Sequence, residues 1–177
     1  MADWSACLIY IQIVLVCIFT QSLAHKLHDI KRFNESVRNY RILHENFIST
    51  ASLVMILFES IAIIALFFPK LYGLSLIVIF SLLSIFSLAI ASALWRHVDI
   101  TCGCFGDNNF TISLVPLLRN LTLMSFCVIG IYGFMQYGYK FNSIAFVLIL
   151  APAIFTAWLV IRVDFIASLI KTNSFKG

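Results

Sequence analysis

The sequence predicts an all-α integral membrane protein, and three observations lead there. Of 177 residues, 62% are hydrophobic and 11% charged, where soluble domains run nearer half and a quarter. A mean hydropathy of +1.00 leaves too little polar surface to face water around a single core. The apolar residues also gather into five runs, each near the ~20 residues that a spanning helix needs. Together these exclude an ordinary soluble enzyme, a disordered chain and a secreted disulfide scaffold. The expected architecture is a single membrane domain over residues 1–177: four core transmembrane helices, a fifth C-terminal span, and an amphipathic interfacial segment after the first span.

The first span is expected at about Trp4–Ala24. Ser22-Leu23-Ala24 looks like a small-residue cleavage site, but the leading residues carry Asp3 and no Lys or Arg, which favours a retained helix over a signal peptide. The following stretch 25–46 places Leu27, Ile30, Phe33, Val37 and Tyr40 near helical spacing. It reads as an amphipathic helix lying at the membrane surface, with Lys26 and its other basic residues toward lipid headgroups and Phe33 and Tyr40 at the interface. A solvated basic loop is the alternative. The second and third spans fall at about Phe47–Phe68 and Tyr72–Trp95, joined by a short turn around Pro69. The connection 96–112 reads RHVDITCGCFGDNNFTI, and the fourth span is expected at about Ser113–Tyr137. The fifth, about Ser143–Val163, contains Pro152, which is expected to bend the helix rather than end it.

Charge distribution sets a second expectation. The net charge of +4 is no nucleic-acid footprint, because the basic residues sit between apolar runs. Ten of the twelve Lys/Arg fall on the side that carries both long connections, and only Lys70 and Lys140 on the other. The positive-inside rule assigns the richer side to the cytoplasm.

Chemistry concentrates in a few residues. Cys7, Cys17 and Cys127 lie inside apolar runs, where a lone thiol packs as a small hydrophobe. Cys102 and Cys104 stand apart, flanking Gly103 in a connection between spans. A Cys-Gly-Cys unit closes only as a small ring, with Gly103 freeing φ for the turn. A disulfide forced from relaxed geometry is more easily reduced, and strained, accessible disulfides are the exchanging ones. Arg96, His97 and Arg119 are near enough in sequence to favour a thiolate. Two other readings stay open: a metal site with His97 as third ligand, for which no fourth is in view, and a plain tight turn with idle thiols. No metal is therefore assigned. Glu59, in the middle of the second span, is a functional candidate by its cost alone. Pairing with a basic residue, bonding a facing helix or holding a headgroup are its expected roles, beside a purely packing one.

On these residues the chain resembles the MauE family of methylamine utilisation, within a larger DoxX-like group. The features are Lys26 with Phe33 and Tyr40 after the first span, Glu59 in the second, Cys102-Gly103-Cys104-Phe105-Gly106, and then Arg119-Asn120. The resemblance implies a multi-pass cell-membrane protein that helps mature disulfide-containing exported proteins, among them the small subunit of methylamine dehydrogenase, alongside a thioredoxin-like partner. Cys102 and Cys104 would exchange disulfides, while Gly103, Phe105, Gly106, Arg119 and Asn120 would order their loop. A more distant similarity to vitamin K epoxide reductase-type proteins points to a quinone as electron acceptor. Those proteins use a CxxC and a further cysteine pair in the first long loop; this chain has CxC and no cysteine in residues 25–46, so a separate thiol protein would supply the second pair. The resemblance also implies that the cysteines face the oxidising exterior, opposite to the charge count. Lipid is the expected non-protein partner, and no nucleic acid. The competing class is a non-enzymatic chaperone, assembly subunit or lipid-binding bundle in which the CxC is structural.

Overall fold

The computed structural model describes residues 4–40, 44–96, 114–139 and 143–174, with side chains from 116 onward in the third segment and up to 162 in the fourth. Six helices make up these segments: α1 (Trp4–His28), α2 (Ile30–Asn39), α3 (Glu45–Ala65), α4 (Tyr72–Trp95), α5 (Leu114–Tyr137) and α6 (Ser143–Ser174). Five of them, all but α2, are long and apolar enough to cross a membrane. The all-α membrane fold expected from hydropathy is the fold observed. Helix is the form such runs take because it satisfies every backbone group within the segment.

α1 is the hub. It is the most buried of the five spans, and it packs against α3, α5 and, most extensively, α6. Leu8, Ile9, Val14 and Leu15 are fully enclosed, so apolar residues face protein on several sides of one helix, as expected of a core helix. α6 leans on α1 and leaves most of its surface outward, with Ile144, Val147, Leu148 and Phe155 exposed. Its helix continues through Pro152. There the Thr156 hydroxyl donates to the Pro152 carbonyl at 2.7 Å and accepts from the Tyr10 hydroxyl of α1 at 2.7 Å.

The chain changes direction with recognisable chemistry. Asp29 breaks α1 from α2 and caps the latter, its carboxylate accepting from the Arg32 amide at 3.0 Å. At the other end of the bundle α5 closes on Gly138, whose φ of +66° lies in the left-handed region. Its amide donates to the Phe134 carbonyl at 2.9 Å, a glycine C-terminal motif. Beside it the Tyr139 hydroxyl donates to the Gln12 side-chain oxygen, and Gln12 Nε2 donates to the Leu66 carbonyl at 2.8 Å. One polar side chain of α1 thus ties the end of α3 to the turn after α5.

α2 corrects one expectation. Part of its apolar face meets protein: Phe33 and Val37 pack with Ile48 and Ile56 of α3, and Tyr40 packs with Ile90 and Ala93 of α4, while Ile30, and Leu27 at the end of α1, stay exposed. Lys26, Phe33 and Tyr40, placed at the interface by sequence reading, are 2%, 3% and 8% exposed. The physical reason is that α1 runs on to His28 and turns sharply at Asp29, folding α2 back over the bundle. The helical period of its apolar residues is as expected, and Phe33, Val37 and Tyr40 of that pattern face protein.

Candidate functional site

Several of the polar residues buried among the spans converge on one place. α1 presents Ser22 and Lys26 one turn apart, α3 presents Glu59, and α5 presents Arg119 and Asn120. Tyr40 closes the group from the end of α2. All six line one partly open cavity of about 50 Å³, whose remaining wall is apolar. Lys26, Glu59, Arg119 and Asn120 are each less than 10% exposed.

At its centre Lys26 Nζ donates to Glu59 Oε2 at 2.6 Å, with both side chains at most 3% exposed. The ammonium also lies 5.4 Å from the Phe33 ring centroid and 5.0 Å from that of Phe86, within reach of the negative ring faces. Of the roles expected for Glu59, pairing with a basic residue is the one observed. The carboxylate and the ammonium neutralise one another in a place where either alone is costly. Nearby, Arg96 Nη2 donates to the Tyr40 carbonyl at 2.7 Å and its Nε to the Ser92 carbonyl at 3.1 Å. That ties the last turn of α4 to the end of α2.

The cavity lies in the half of the bundle where α1 ends and α5 begins. Asn120 is six residues into α5 from Leu114, about 9 Å along the axis at ~1.5 Å per residue. Ile90, also on the cavity wall, is six residues before Arg96, again about 9 Å. Both points where the chain enters and leaves the connection 97–113 therefore stand above this cavity. Cys102, Gly103, Cys104, Phe105 and Gly106 lie in that connection, outside the described residues, as does His97 of the alternative metal reading.

Among the described residues Cys7, Cys17 and Cys127 are free thiols. Cys127 is fully buried and Cys7 and Cys17 pack against the same core, as their place in apolar runs led one to expect. What sequence reasoning missed is that Lys26 is the partner of Glu59. The available signal was a lysine at the end of an otherwise apolar span with a carboxylate inside the next span, which needs neutralising.

The family model described as methylamine utilisation protein MauE matches residues 4–133. The match takes in α1 to α4 and most of α5, every cavity residue and the CxC connection, and ends before α6. Comparison with curated proteins and with solved structures gives no match.

Proposed function

The chain belongs to the MauE family, a membrane-protein family of methylamine utilisation, and on that premise we propose that it is a thiol–disulfide exchange protein assisting the maturation of disulfide-containing exported proteins. Cys102 and Cys104 are the exchanging pair. When they are joined, a thiolate of a thioredoxin-like partner attacks one sulfur, forms a mixed disulfide and releases the other as a thiolate. A second partner thiol, after deprotonation, then attacks the mixed disulfide. The partner leaves oxidised and the CxC pair remains as a dithiol, so two electrons and two protons have passed to this chain.

The observation that supports this reading is the cavity built from Lys26, Glu59, Arg119 and Asn120 beneath both ends of the connection that carries the cysteines. Arg119, which lines that cavity, is one of the basic residues whose closeness in sequence to the pair favours a thiolate. Ordered helix ends at Arg96 and Leu114 give the connection fixed attachment points.

Thiol trapping tests the reading. A Cys104→Ser variant is expected to accumulate a mixed disulfide through Cys102, or Cys102→Ser one through Cys104, detected on non-reducing gels and lost on reduction. If neither single variant traps a partner, and the Cys102→Ser/Cys104→Ser double variant still supports client maturation, the pair is structural. The protein is then an assembly or chaperone subunit.

A further inference from the structure

α6 is the least enclosed of the five spans. Ala153 and Ala157 seat it on α1, and its opposite side, with Leu148, Phe155, Trp158 and Leu159, faces outward. The Phe155 and Trp158 rings stack along that side, 6.2 Å between centroids. One turn beyond Trp158, on the same side, stands Arg162, which is also exposed. Among the described residues it has no hydrogen-bond or ion-pair partner. Its depth follows from the contact between the Tyr10 and Thr156 hydroxyls. Three spans separate α1 from α6, so the two helices run in the same direction. Tyr10 is six residues past Trp4 and Arg162 six past Thr156, which puts Arg162 about 18 Å along the bundle from the level of Trp4. The level of His28, where α1 ends, is about 18 Å further on. Arg162 is therefore rooted near the middle of a hydrocarbon layer of ~30 Å.

A guanidinium turned to lipid at that depth is costly, and charged residues in spans pair with one another or face a polar interior. Arg162 does neither within this bundle. We infer that the outward face of α6 docks a transmembrane helix of a partner protein that carries a carboxylate at mid-depth. Arg162 is its counter-ion, and Phe155, Trp158 and Leu159 are the apolar contact beside it. A carboxylate alone in hydrocarbon bears a similar cost, and the guanidinium fork holds both of its oxygens. A second copy of this chain does not supply that match. A two-fold axis along this face sets Arg162 against its own counterpart, a contact between like charges. The inference does not depend on thiol chemistry, and its readout is helix association rather than redox activity.

The test places the full chain, carrying a fluorescent donor, in phosphatidylcholine vesicles with an acceptor-labelled synthetic helix of leucine and alanine. One version of that helix has a glutamate at its midpoint and the other a leucine. Energy transfer should show the glutamate helix associating at least about tenfold more tightly, the ratio expected from one charge-assisted contact. Arg162→Leu should remove that preference; if the variant does not fold, the two helices on the unaltered protein decide. Equal association of the two helices, or a preference that survives Arg162→Leu, overturns the inference. So does a preference lost when the vesicles also contain phosphatidylglycerol, because a lipid phosphate then holds the arginine. A preference seen only in an Asp164→Asn variant means that the arginine is matched within its own helix, which also overturns it. Energy transfer between copies of the chain that Arg162→Leu abolishes makes the occupant a second copy, and the assignment to a different protein falls.

Discussion

Removing one member of the Lys26–Glu59 pair should cost far more than removing both. At 2.6 Å and an effective dielectric near 20, two unit charges attract by about 6 kcal/mol. Enclosing them costs several kcal/mol per ion, so the net contribution of the intact pair is small. A Lys26→Met variant leaves the Glu59 carboxylate 2% exposed with its cation gone, a loss of about 3–5 kcal/mol. At ~2–4 °C per kcal/mol for a chain of this size, apparent melting in detergent, followed by circular dichroism, should fall by about 6–20 °C. Glu59→Met should behave alike. The double variant, which replaces two charges by two apolar side chains of similar volume, should return to within about 1 kcal/mol of the original protein. If each single change shifts melting by only a degree or two, or if the two losses simply add in the double variant, the coupling argued here is refuted.

Three other perturbations read different parts of the bundle. Gln12→Leu leaves the Leu66 carbonyl and the Tyr139 hydroxyl without their partner, and should lower stability by about 1–3 kcal/mol in the same melting assay; an unchanged melt argues against the tie. A Cβ at Gly133 would meet Trp4 Cε3 at 3.0 Å and Leu8 Cδ2 at 3.2 Å. Gly133→Leu should therefore cost about 1–3 kcal/mol through overpacking of α5 on α1, with Gly133→Ala milder, and a melting series of the two checks the order. Ser52 Oγ is buried with no hydrogen-bond partner among the described residues, whereas Ser60 Oγ donates to the Ile56 carbonyl at 2.8 Å. Ser52→Ala should be neutral or stabilising by up to about 1 kcal/mol and Ser60→Ala should not stabilise, a contrast that parallel unfolding curves resolve.

The basic residues show how far a charge count reaches. Lys26 and Arg119 belong to the richer side by sequence, yet both are buried in the bundle. They serve the cavity, and the topology signal of that side rests on the other basic residues there. α2 gives the converse lesson. Its alternation of apolar and basic residues was clear because one face meets protein and the other is polar, but the pattern alone could not say whether the apolar face meets lipid or helix.

Hydropathy determined the five spans, because transfer into lipid is a local sum over about twenty residues and needs no knowledge of neighbours. Their starts and ends were legible within a few residues, apart from α1, which runs on to His28, and α6, whose helix reaches Ser174. Which face of each span turns inward was left to tertiary structure. Lipid is as apolar as a bundle interior, so Leu88 on the outside and Leu83 on the inside are written with the same letter. Only helix packing could bring Lys26 against Glu59, 33 residues on, and join both to Arg119 and Asn120. Those contacts depend on helix rotation and register, which an all-round apolar sequence does not encode locally.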